Sequence, residues 1–148
     1  MDTERTEVDA PVETCLLTVA FDLDHLSRVR HEVGRRLAEA GLPEQEAEDF
    51  LLAVNEAMAN ALRHGPGSGH LRLWRDGSVV CEVADTGLGF PDGPPQRPLR
   101  PPGPRQQGGR GLWLAQQYSD ELRIDSSPEG TNVRLSKALP PAPGPTPR

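Results

Sequence analysis

Cysteine is almost absent from this chain. The two present, Cys15 and Cys81, form no CxxC pair, so the sequence offers neither a zinc site nor a disulfide framework. Both fall in apolar, strand-like runs, where a cysteine serves as a small buried hydrophobe. Lysine is scarcer still, with Lys137 the only one; arginine carries the remaining basic charge, as the codon bias of a GC-rich genome would give. The formal net charge is −6. That balance argues against sequence-independent nucleic-acid binding, which needs a concentrated basic face. No run approaches about 18 consecutive apolar residues, and the acidic start MDTERTEVDAP lacks the apolar stretch of a signal sequence. The expectation is a cytoplasmic protein with no membrane segment and no direct contact with nucleic acid.

Proline and glycine are plentiful instead, at 16 and 15 in 148 residues, and they are clustered. The length fits one domain with a single core. Residues 1–12 read as a disordered tail, 13–138 as the domain, and LPPAPGPTPR (139–148) as a proline-rich disordered tail. TCLLTVAF (14–21) reads as a strand. Residues 22–41 read as a helix, with Asp22 or Asp24 capping its start, Leu26, Val29, Val33 and Leu37 at helical spacing, and Gly41 at its end. Asp22, Asp24 and His25 read as that cap rather than as a metal cluster. Residues 43–65 give the clearest helix: Pro43 suits its first turn, acids load its start, and Arg63, His64 and Gly65 close it. GPGSG (65–69) breaks the chain. HLRLWRD (70–76) and SVVCEVAD (78–85) form a hairpin around Asp76-Gly77. The proline-rich stretch 90–107 can be neither helix nor strand. Residues 108–121 read as a glycine-opened helix, and 121–127 with 130–138 as a second hairpin. The order predicts an α+β, two-layer sandwich: a mixed, mostly antiparallel sheet with helices on one face.

Three segments could carry chemistry. Glu56, Asn60 and His64 stand four residues apart on the second helix and fan over roughly 80° of its surface. Phe50, Val54 and Ala61 form the apolar stripe, centred well over about 100° from that line. An amide oxygen can ligate a hard cation such as Mg²⁺, and a carboxylate one turn away can accept a proton or orient a water. The plain alternative is an ordinary polar helix face. The second segment is ADTGLGF, where Asp85 ends a strand and Gly87 and Gly89 follow. A carboxylate there can accept a hydrogen bond from an exocyclic amine, and glycines let a flat ring approach the backbone. The plain alternative is a turn. The third is GGRG (108–111), which opens a helix. Its free N–H groups and the helix dipole favour an anion, and Arg110 adds a cationic fork; the plain alternative is a hinge. A cation ligand with a base, an amine acceptor with a seat for a flat ring, and an anion site add up to a nucleotide with Mg²⁺. The 90–107 loop between the second and third segments suits a cover.

In this order the segments resemble the GHKL ATPase superfamily of gyrase B, Hsp90, histidine kinases and MutL, over roughly residues 14–137. AVNEAMANALRHG resembles its N box, ADTGLGF the G1 box, GGRGLWLA the G2 box, and Glu129-Gly130-Thr131 the last glycine box. The chain is most similar to the anti-sigma factor/serine-protein kinase branch, in its actinobacterial form. That resemblance implies the GHKL fold, with ATP and Mg²⁺ as cofactors. It implies transfer of the γ-phosphoryl group to a serine of a STAS-domain anti-anti-sigma protein, binding of a sigma factor, and usually a homodimer. It assigns Glu56 as general base and Asn60 as Mg²⁺ ligand. Asp85 would accept the adenine amine, with Gly87 and Gly89 making room. Gly109, Arg110 and Gly111 would hold phosphates, and Thr131 would assist at the adenine. One departure stands out: some family kinases carry a basic side chain just before the G2 glycines, where this chain has Gln106 and Gln107. Two other readings follow, a non-catalytic, ATP-dependent sequestering module and a detached histidine-kinase catalytic domain. For the latter, His31-Glu32 resembles a phosphoacceptor box, but no proline follows it and one helix alone precedes the N box, so His31 is expected on a solvated helix face.

Overall fold

The structure, a computed structural model, describes residues 14–64, 66–87 and 110–141. The N-terminal tail, the loop 90–107, Gly89, Gly109 and residues 142–148 of the C-terminal tail lie outside the described residues. The elements run β1 (Thr14–Asp22), a 3-10 turn (Leu23–His25), α1 (Leu26–Ala40), α2 (Glu44–His64), β2 (Ser68–Arg75), β3 (Ser78–Asp85), α3 (Arg110–Gln117), β4 (Glu121–Ser127) and β5 (Gly130–Ala138). Asp22 caps the 3-10 turn: its Oδ1 accepts the His25 backbone N–H at 2.9 Å and meets His25 Nδ1 at 2.7 Å. That side-chain bond holds the Asp22 carboxyl below its usual range. Helix α1 itself starts later than expected, at Leu26, with His25 before it and no side-chain cap. Gly41 ends α1 at φ 104°, a left-handed position that favours glycine.

The five strands form one sheet in the order β1-β2-β3-β5-β4. All the described pairings are antiparallel, which corrects the expectation of a mixed sheet. Strand β4, which follows α3, lies at the edge, and the chain folds back so that β5 lies between β3 and β4. No strand thereby gains a parallel neighbour.

Strand side chains alternate in and out. Leu71 and Leu73, Cys81 and Val83, and Val133 and Leu135 turn to one face. There they meet Val33 and Leu37 of α1, Phe50, Val54 and Met58 of α2, and Leu112 and Ala115 of α3 in one core. Each such large apolar side chain contributes about 1.5–3 kcal/mol of burial. Cys81 is buried as read, and burial pushes its thiol well above its usual value. Cys15 is exposed, against expectation. It sits at an irregularity in the β1 register and pairs with Trp74, on the face turned away from the helices. On that face Arg72 and Arg134 lie over the Trp74 ring, 4.4 and 5.2 Å from its centroid, and Arg134 donates to Glu82 at 2.7 Å.

The sheet has two distinct ends. Arg75 Nη1 donates to the Ala40 carbonyl at 3.4 Å, which fixes the end of α1 at the Arg75 end. Helix α2 therefore starts near that end and runs toward the other, where β3 finishes at Asp85 and β5 starts. Strand β2 begins at Ser68, inside the run read as a break. Gly69 is a strand residue on which a Cβ would meet the Phe21 ring at 2.7 Å and the Ala84 carbonyl oxygen at 2.9 Å.

Candidate functional site

Among the described residues, the buried polar or charged side chains are Asn60, Asp85 and Thr131, at 5%, 8% and 5% exposure. A buried polar group is costly unless it is satisfied, so its position is informative. All three lie toward the Asp85 end of the sheet, and all three are sequence-predicted site residues.

Asp85 is the last residue of β3 and stands opposite Thr131 of β5. Its Oδ1 accepts the Gly87 backbone N–H at 2.8 Å, so the turn reading of this stretch is realised, and the turn itself orients the carboxylate. Thr131 Oγ1 lies 3.4 Å from Ser126 Oγ on β4. Gly130 has φ 148°, and a Cβ on it would collide with the Asp85 carbonyl oxygen. Glycine is thus required for β5 to start so close to the end of β3. A shallow pocket of about 290 Å³ opens here, lined by Asp85, Ser126, Glu129, Gly130, Thr131 and Asn132 among others. Neither Glu56 nor Asn60 lines it.

Glu56 and Asn60 share the flank of α2 that faces α3. Glu56 lies against the start of α3: a Cβ on Gly111 would stand 2.8 Å from Glu56 Oε1, and its three nearest atoms would all be Glu56 atoms. Asn60 follows one turn nearer the Asp85 end. Glu56 is half-buried and Asn60 buried, so these two do not stand on the open solvated face that was the plain alternative. The third helix packs against this flank at Glu56. The start of α3 brings Gly111 to the same region. His31 is exposed on α1.

Sequence reasoning missed the parts played by Gly69 and Ser126, and by Gly130 as a spacer for Asp85. Gly130 had a signal, as the glycine of its own box. Gly69 had only its place in a glycine-rich run, and Ser126 had none beyond its strand position.

The donor set fits a nucleotide at the strand ends. It offers a buried carboxylate acceptor, a hydroxyl beside it, and a backbone approach that a Cβ would block. The pocket volume is at the small end for ligand sites. No group of three or more His, Cys, Asp or Glu gathers among the described residues. A resident metal cage is not built there, whereas Mg²⁺ characteristically takes one or two protein ligands and completes its shell with phosphates and water.

A family model described as the histidine kinase-like ATPase domain matches residues 19–137. The chain belongs to that family. Its relatives include an anti-sigma F factor of Bacillus licheniformis, 34% identical over 103 residues, covering 64% of this chain and 70% of that protein. A serine-protein kinase RsbW of Bacillus subtilis is 32% identical over 112 residues, covering 67% of this chain and 69% of that one. These place the chain in the anti-sigma factor/serine-protein kinase branch of the GHKL superfamily. A solved structure of the RsbU and RsbW domains of Rv1364c from Mycobacterium tuberculosis superposes with a TM-score of 0.57 at 23% identity. That match covers 83% of this chain, which spans only 31% of the solved one, and it supports the α+β fold. No described helix is long and apolar enough to cross a membrane.

Proposed function

We propose that this protein binds ATP with Mg²⁺ and transfers the γ-phosphoryl group to a serine of a STAS-domain anti-anti-sigma protein, while also sequestering a sigma factor, as a cytoplasmic homodimer. The observation that carries the reading is Glu56: a carboxylate seated at the junction of α2 and α3, one turn from a buried amide. Glu56 takes the proton of the serine hydroxyl as the serine oxygen bonds to the γ-phosphorus. The bond from that phosphorus to the β–γ bridging oxygen breaks, and ADP leaves. Asn60 would supply an amide oxygen to Mg²⁺, which when bound would neutralise phosphate charge. Asp85 accepts the adenine amine with Thr131 beside it, and Gly87 and Gly89 leave room for the ring. Gly109, Arg110 and Gly111 at the start of α3 hold the phosphates. Positioning and charge neutralisation supply most of the rate, as phosphoryl transfer requires.

Glu56→Gln keeps the shape and removes the base. Transfer of label from [γ-³²P]ATP to a recombinant STAS-domain protein should fall by about 10²–10⁴-fold, with ATP uptake by titration calorimetry retained. Unchanged transfer would discard the base assignment. Gln106 and Gln107, standing where some family kinases have a basic side chain, favour a second reading: sequestration that depends on ATP without turnover. ATP-dependent capture of a sigma factor with no label on any STAS protein would select it. Acid-labile label on a histidine protein would instead select the detached histidine-kinase domain.

A further inference from the structure

Gly111 has no backbone reason to be glycine. It is the second residue of α3, its φ is not among the positive ones, and alanine is the better helix former. It is buried, yet the space beside it is nearly large enough for a methyl group. Of the three atoms nearest to an added Cβ, Glu56 Cβ and the Glu56 carbonyl oxygen would lie at an ordinary 3.7 Å. Among the described residues, the single conflict is with Glu56 Oε1 at 2.8 Å, the far end of a side chain that can turn away.

We infer that Gly111 is a positioning residue for Glu56: the missing side chain lets the carboxylate lie against the first turn of α3, and so sets where the base stands. This rests on the proposed role of Glu56 and gives Gly111 a task separate from holding phosphate. The segment that opens α3 and the base on α2 then form one unit, because any side chain at 111 evicts the carboxylate from its seat. The oxygen would have to withdraw by roughly half an ångström to reach ordinary contact, which is the tolerance within which catalytic groups must be held. A misplacement of about 1 Å costs on the order of a hundredfold in rate.

The test is Gly111→Ala in the full chain, assayed for label transfer from [γ-³²P]ATP to a recombinant STAS-domain protein, with kcat and the KM for ATP determined separately. The expected result is a kcat reduced about 10–100-fold, a KM for ATP within about threefold of wild type, and an unchanged or higher Tm because alanine favours the helix. Glu56→Asp withdraws the carboxylate by one methylene, so the methyl at 111 should cost less in that background. The double variant should therefore be less impaired than the product of the two single losses. A kcat within twofold of wild type, where Glu56→Gln abolishes transfer, overturns the positioning inference alone. Active Glu56→Gln overturns the base reading and this inference with it. A raised KM with kcat retained leaves Gly111 a phosphate contact with no part in placing the base, and a lowered Tm makes it a packing residue; either result also overturns the inference.

Discussion

The two ends of the sheet are built from the same strands and differ in how their polar groups are used. At the Arg75 end, polar groups close on one another. The Arg75 guanidinium meets the Ala40 carbonyl at 3.4 Å, the Asp120 backbone N–H donates to Ser136 O at 2.8 Å, and Leu139 N–H donates to Gly77 O at 3.3 Å. These contacts tie helix ends and hairpins to the sheet and ask nothing of a ligand. At the Asp85 end, an acid, an amide and a hydroxyl are buried instead, and Gly69 and Gly130 bring backbone or ring atoms to within distances that a Cβ would forbid. A fold needs the first arrangement only. Burying polar groups lowers stability unless they are satisfied, so their concentration at one end marks where the molecule is shaped for something other than folding.

After Glu56→Gln, the substitution that tests this contrast most strongly is Asp85→Asn. It preserves size and an oxygen for the Gly87 N–H, but it removes the charge that an adenine amine would meet. A hydrogen bond to a charged group contributes about 1.5–3 kcal/mol, so ATP affinity should fall by about 10–100-fold, while Tm moves little. Titration calorimetry with Mg·ATP decides it. Wild-type affinity in the Asn variant would remove the adenine from this end of the sheet.

Gly130→Ala comes next and affects both properties of that end together. The new Cβ would strike the Asp85 carbonyl oxygen, and the backbone sits at φ 148°. Unfavourable backbone conformations cost about 1–3 kcal/mol each, and here a backbone atom must also move. The expected loss is about 2 kcal/mol, a Tm lower by roughly 5–10 °C, with weaker nucleotide binding because Asp85 is displaced. Binding lost without any change in Tm would mean that the glycine serves the ligand directly and not the strand.

Much of this was legible in the sequence, for reasons particular to each element. Strands β3, β4 and β5 start and stop where the alternation of apolar residues and the turn residues place them. Helix α2 could be read because Pro43, the acids at its start and Arg63 at its end agree with its apolar stripe. Ser68 and Gly69 were misread because dense glycine signals a break, whereas the sheet needs a bare backbone beside Phe21. That is a tertiary demand with no local signature. Cys15 was misread because an apolar run does not say which face of an edge strand carries its first residues. At the site, Glu56, Asn60 and Asp85 stood out by spacing and by chain context. The burial of Asn60 did not, since burial is set by tertiary packing that spacing along one helix does not encode. Thr131 was accessible only through family resemblance.

The smallest effect should come from the other end of the sheet. Asp120 follows α3 and precedes β4. Its Oδ2 accepts the Ala138 backbone N–H at 2.7 Å, and its Oδ1 lies 3.5 Å from Lys137 Nζ. Ala138 lies two residues past Ser136, where the β4 pairing starts opposite Glu121. The carboxylate therefore stands in for the carbonyl that the next strand residue would have supplied. Asp120→Ala leaves that N–H to water, which is available because the side chain is 46% exposed. The loss should be about 1 kcal/mol or less, visible as a small drop in Tm. ATP affinity and label transfer should be unchanged, because nothing at this end touches the Asp85 pocket or Glu56. If Asp120→Ala weakened nucleotide binding as much as Asp85→Asn, the two ends would not be separate, and the division of labour between them would have to be abandoned.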